Sequence, residues 1–123
     1  MEELLRYDSP VQRTARITNA DVEVGGKTIP KGAFVVTAIG AANRDPAQFP
    51  DPDRLDIARA DNRHIAFGFG IHFCLGAPLA RVEGQLALGT LLRRMSRLRL
   101  ADEALQWRES STLRGLKALP VAF

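Results

Sequence analysis

The chain has a single cysteine, Cys74, so it can form no internal disulfide, and that usage fits a reducing compartment. Only two histidines are present, and lysine is scarce: all but Lys27, Lys31 and Lys117 of the 17 basic residues are arginine. No long hydrophobic run exists. The longest, Ala33 to Ala42, is broken by Thr37 and Gly40 and reaches only about half of what a membrane span needs. The start, Met1-Glu2-Glu3-Leu4-Leu5-Arg6, has neither the basic region nor the apolar core of a secretion signal. These absences imply a cytoplasmic protein with no membrane partner. Aromatic residues are few, at 7%, and no internal repeat is visible.

What remains is the profile of an ordinary folded domain: 123 residues, 46% hydrophobic and 25% charged. The length supports a single domain over residues 1–123. The net charge of +3 is too small to argue for nucleic acid. The arginine bias fits either carboxylate and phosphate recognition or simply genome composition.

Glu2 to Tyr7 reads as a short helix stopped by Ser9-Pro10. Four short strands follow: Ala15 to Thr18, Val22 to Val24, Lys27 to Ile29 and Ala33 to Thr37. Asn19-Ala20-Asp21 reads as a hairpin turn between the first two, and Gly25-Gly26 and Pro30-Lys31-Gly32 punctuate the others, giving a small curled sheet. Ala38 to Asn43 is predicted as one short helix. From Arg44 to Arg63 periodicity disappears. Prolines 46, 50 and 52 and five aspartates (45, 51, 53, 56 and 61) mark a long irregular segment of the kind that is usually functional or a linker. Leu75, Leu79, Val82 and Leu86, continued by Leu88, Leu91, Leu92 and Met95, have helical spacing, which predicts a long and largely buried helix from about Leu75 to Met95. Arginines 93, 94, 97 and 99 suit its C-terminal dipole. Leu105 to Glu109 and Leu113 to Val121 read as a C-terminal β-hairpin. The fold class is mixed α and β, mainly α.

The chemistry concentrates in Phe67-Gly68-Phe69-Gly70-Ile71-His72-Phe73-Cys74-Leu75-Gly76. Its glycines allow close backbone approach or positive φ, and its aromatics make a flat apolar wall. Cys74 stands just before the long helix, where orphan amides and the positive dipole end favour a thiolate. On its own a lone cysteine is more often buried and inert. A zinc site from His64, His72 and Cys74 lacks a fourth Cys or His. A thiolate in an apolar loop suits haem iron, whose other positions are filled.

The segment resembles the haem-binding loop of cytochromes P450, Phe-x-x-Gly-x-(His/Arg)-x-Cys-x-Gly, with Phe67, Gly70, His72, Cys74 and Gly76 in register. Ala77-Pro78-Leu79-Ala80-Arg81 continues it as in bacterial, soluble members. Glu3-Leu4-Leu5-Arg6 is similar to the family's Glu-x-x-Arg helix. Asn43-Arg44-Asp45-Pro46 and Phe49-Pro50-Asp51-Pro52-Asp53-Arg54 are similar to its meander, although Leu55 stands where an aromatic residue is commoner.

The resemblance implies the C-terminal portion of the P450 fold and a set of roles. Cys74 would be the metal ligand and catalytic thiolate. Arg16 and His72 would contact the propionates of haem b, and Phe67, Gly68, Gly70, Gly76 and Ala80 would line the cofactor. Glu3, Arg6 and Arg54 would form a structural triad, and Arg81 would lie on the face that meets a ferredoxin-type electron donor. The implied activity is monooxygenation of a small organic substrate. The family's long central helix and most of its substrate-recognition loops match nothing in these residues, so activity is expected to need an N-terminal P450 complement. The other reading is a non-catalytic, truncated remnant that binds haem weakly or self-associates. Val11 to Ile17 and Ser110 to Leu116 are the remaining candidates for substrate contact.

Overall fold

A computed structural model describes residues 1–101 and 104–123. Helix α1 spans Glu2–Tyr7. Its acidic first turn and basic last turn complement the dipole, but six residues are too few for a helix to persist unaided. It holds because Glu3, Leu5 and Arg6 are buried. The strands follow as β1 (Thr14–Ile17), β2 (Val22–Val24), β3 (Lys27–Ile29) and β4 (Phe34–Thr37). Their pairing is nested. Strand β1 runs antiparallel to β4, with Arg16 opposite Val35, and β2 pairs only with β3.

The 19–21 segment therefore does not join paired strands, contrary to the hairpin expected there. The tight hairpin turn is at Gly25-Gly26, where both residues have positive φ, as a two-residue type I′ turn requires. Asp21 instead turns its carboxylate back to accept the Lys31 amide at 2.8 Å.

Helix α2 covers Ile39–Ala42. Residues 43–69 contain no further helix or strand. A 3-10 turn at Gly70–His72 precedes helix α3, Ala77–Arg94, which starts with Pro78 in its first turn, where a missing N–H costs nothing. Strands β5 (Arg99–Leu100) and β6 (Val121–Ala122) pair antiparallel and close the chain. The expected C-terminal hairpin is reduced to a single bridge, Trp107 to Leu116. A second bridge, Val11 to Leu113, brings together the two segments named as candidates for substrate contact.

The buried apolar set is small: Leu5, Ile39, Phe49, Ala66 and Ala77 among the described residues. Helix α3 departs from expectation here. Only Ala77 is buried, and Leu79, Val82, Leu86 and Leu92 are more than half exposed. Its periodicity states what the side chains favour, and among the described residues too little packs against them to bury them. No helix among the described residues is long and apolar enough to cross a membrane.

Candidate functional site

The support of the site is a polar knot in place of a large core. Arg6 has no exposed surface. Its guanidinium donates to both oxygens of Glu3 at 2.7 and 2.8 Å, and to the carbonyls of Asn43, Pro52 and Arg54 at 3.0, 2.8 and 3.2 Å. Those bonds occupy all five N–H donors of the side chain. Glu3 in turn accepts the Asp56 amide at 2.9 Å and the Asn62 side chain at 3.0 Å, with Arg59 Nε 3.3 Å away.

The third member of the triad is therefore Arg59. The expected Arg54 contributes its carbonyl, and its side chain is exposed. The cause is local. The chain turns at Asp51, whose φ is +49°, and the Arg54 amide bonds back to the Asp51 carbonyl, which sends the Arg54 side chain outward. Arg59 returns one turn later.

Asn43, also fully buried, donates to Ser9 Oγ at 2.7 Å and accepts the Ile65 amide at 2.8 Å, which ties the knot to the entrance of the cysteine loop. No residue signal singled out Arg59 or Asn62. Asn43 stood inside a recognised string, but nothing in its spacing marked it as buried.

The Arg6 fork holds the Glu3 carboxyl at about 2, well below its usual 4.5. A depressed carboxyl stabilises the fold above its unfolded pKa, and the effect is lost as pH falls through the folded value. For Glu3 that window runs from about 4.5 down to about 2 and is worth about 3 kcal/mol. Urea denaturation at a series of pH values is expected to show this fall. Glu3→Gln, less stable throughout, is expected to lack it.

The loop above the knot is folded back on itself. The Cys74 amide donates to the Phe67 carbonyl at 2.9 Å, and the Phe73 amide to that of Gly70 at 3.0 Å. Gly68 and Gly70 lie at φ +78° and +67°, a conformation that side chains resist. Gly76 has ordinary backbone angles, and its role is spatial: a side chain there would touch the Cys74 sulfur at 3.7 Å. Cys74 itself is a free, exposed thiol. The neighbouring amides of Leu75 and Gly76 have no acceptor among the described residues, which leaves two free donors beside the sulfur.

A cavity of about 530 Å³ opens beside the loop. Cys74, His72, Arg16, Phe67 and Gly68 all line it, with Leu5, Val11 and Ile39 among its apolar walls. It thus unites residues from β1, the cysteine loop and both short helices. Gly70, Gly76 and Ala80 do not line it. The two glycines shape the loop, and Ala80 lies within α3, where its amide bonds the Gly76 carbonyl. Of the two segments expected to meet a substrate, only 11–17 reaches the cavity.

Arg16 makes one side-chain bond, to the Ala15 carbonyl, and His72 makes none among the described residues, so both keep donors for a further partner. The donor set fits a flat, carboxylate-bearing iron macrocycle: a soft sulfur ligand in an apolar wall, with a guanidinium and an imidazole beside it.

Arg81 is not a free surface charge. Its guanidinium grips both oxygens of Glu2 at 2.9 to 3.0 Å and stacks over the Phe67 ring at 4.8 Å, leaving 34% of the side chain exposed.

Residues 1–109 match the cytochrome P450 family model. The chain is 50% identical to the biotin biosynthesis cytochrome P450 of Bacillus subtilis over its whole length, and 50% identical to the 6-deoxyerythronolide B hydroxylase of Saccharopolyspora erythraea over 98% of it. It spans 31% and 30% of those relatives, respectively. Among solved structures, P450BioI in complex with a hexadec-9Z-enoic acid ligated acyl carrier protein superposes with a TM-score of 0.96 at 51% identity, over 99% of this chain and 32% of that one. The tirandamycin C-bound P450 monooxygenase TamI gives a TM-score of 0.93 at 49% identity, over 98% of this chain and 31% of that one. Matched along nearly all of its length, the chain belongs to the cytochrome P450 family, whose members bind haem, and corresponds to the C-terminal third of the fold.

Proposed function

We propose that this chain is the haem-thiolate portion of a monooxygenase, and that the observation carrying the reading is the convergence of Cys74, His72 and Arg16 on one apolar cavity. Cys74 would ligate the iron of haem b as a thiolate, supported by the Leu75 and Gly76 amides. Arg16 and His72 would pair with the haem carboxylates. When bound, haem b supplies dioxygen activation and the transfer of one oxygen atom to an organic substrate, with electrons from a ferredoxin-type donor. The protein's share is positional. The Arg6 knot fixes the loop, Leu5, Val11, Ile39 and Phe67 keep water from part of the cavity, and Gly76 leaves the sulfur uncrowded. The chain spans about 31% of its relatives, and the facing wall, with most contacts to a small organic substrate, would come from an N-terminal P450 complement in the cytoplasm.

The test is the purified chain with haemin, reductant and carbon monoxide. A thiolate-type band is expected, with oxygenated product only when an N-terminal P450 segment is supplied. Haem uptake with no thiolate-type band overturns the assignment.

The exposed apolar side chains along α3 favour a second reading, a non-catalytic remnant that self-associates or holds haem weakly. Sedimentation separates the two. A concentration-dependent mass with substoichiometric haem supports the remnant.

A further inference from the structure

Helix α1 presents a second carboxylate that the Arg6 knot does not use. Glu2 accepts the Arg81 guanidinium on both oxygens, and its Oε2 also lies 3.1 Å from His64 Nε2. His64 Nδ1 accepts the Ala66 amide at 3.2 Å. That nitrogen must therefore carry a lone pair, so in the neutral ring the proton sits on Nε2 and is donated to Glu2. Burial pushes the His64 imidazole below its usual pKa, against the opposing pull of Glu2, in keeping with a neutral donor.

The contacts continue from there to the loop. The Phe67 ring lies beneath the Arg81 guanidinium and 6.3 Å from His64, and it meets Phe73 edge-on at 6.4 Å. The Phe67 carbonyl accepts the Cys74 amide. One carboxylate thus joins α1, α3 and residues 64–67, and Phe67 passes that constraint to the sulfur-bearing residue. Its anchor is firm, because the next residue, Glu3, is locked in the knot.

We propose that Glu2 is a positioning residue for Cys74, acting through Arg81, His64 and Phe67. Its consequence for ligation rests on the haem-thiolate reading, but the positioning itself does not. With the carboxylate gone, Arg81 loses the partner that holds it over Phe67, and the bond from the Cys74 amide to the Phe67 carbonyl opens more often. Arg81 then braces the loop through Phe67 as well as facing solvent.

The experiment is amide hydrogen exchange on the full chain without haem, followed by the reduced carbon monoxide spectrum with haem. Glu2→Ala and Arg81→Met are each expected to speed exchange at Cys74 about tenfold, a local opening, while the β1–β4 ladder and Asn43 keep their protection. With haem, both variants are expected to lose part of the thiolate-type band. If Glu2→Ala loosens every amide, Arg81→Lys decides the matter, since it keeps a cation for Glu2 but not the flat stacking on Phe67. Selective loss at Cys74 then supports the proposal, and uniform loss or none overturns it.

Unchanged Cys74 protection in both variants overturns the proposal even where the unsubstituted protein shows the thiolate-type band. Selective loss at Cys74 in a chain that shows no such band upholds the positioning role and overturns the haem-thiolate reading instead.

Discussion

Arg6→Ala is expected to unfold the protein or bring it close to unfolding. Removing one partner of a buried ion pair costs about 3–5 kcal/mol, because the remaining charge stays out of water without compensation. That is a large part of the roughly 5–15 kcal/mol that holds a typical domain together. The loss here goes beyond Glu3. The carbonyls of Asn43, Pro52 and Arg54 also lose their donor, and Phe49 loses the guanidinium lying 5.4 Å from its ring. For that reason a paired apolar replacement of Glu3 and Arg6, which is harmless at some buried ion pairs, is expected to fail at this one. Arg6→Lys is expected to fall between, since an ammonium has three donors for five acceptor contacts. Circular dichroism during urea titration reads these differences. A change under about 1 kcal/mol for Arg6→Ala would place the knot among surface ion pairs.

The second large effect is at the sulfur. Cys74→Ser is expected to abolish the thiolate-type band of the reduced carbon monoxide complex while leaving the fold intact, because the side chain is exposed and makes no hydrogen bond among the described residues. A hydroxyl stays protonated where a thiol ionises, so it gives the iron no anionic ligand. Cys74→His keeps a donor and is expected to retain pigment with a nitrogen-type spectrum. Folding checked alongside by far-ultraviolet circular dichroism separates loss of ligand from loss of structure. A serine variant with the unsubstituted protein's spectrum would assign the ligand elsewhere.

The two parts of the molecule differ in how far their sequence reveals them. The cysteine loop is legible because its constraints are local: glycines at positive φ, aromatics and sulfur follow each other within ten residues. The helices and strands are legible for the same reason, and α1, β2 and β3 stand where their patterns put them. Pairing is another matter. Residue type and flanking turn residues mark β1 and β4 as strands, but nothing in Thr14–Ile17 says that its neighbour is Phe34–Thr37 and not β2.

Arg59 shows the same limit. In an irregular segment no period relates position to direction, so which of two arginines turns inward depends on a single left-handed residue, Asp51. Arg81, His64 and Glu2 meet only in three dimensions, from separations of 62 and 79 residues. The exposure of α3 was beyond any periodicity argument, because periodicity describes one partner of a contact. Ile71 and Leu75, at 98% and 99% exposure, carry the same lesson within the loop.

The β2–β3 hairpin stands apart from all of this. No residue from Val22 to Ile29 lines the cavity, and a side chain added at either glycine of its turn would meet only open space. A foreign peptide spliced between Gly25 and Gly26 is therefore expected to leave the cavity walls untouched. The tip offers a fixed point for an epitope, a dye or a surface tether.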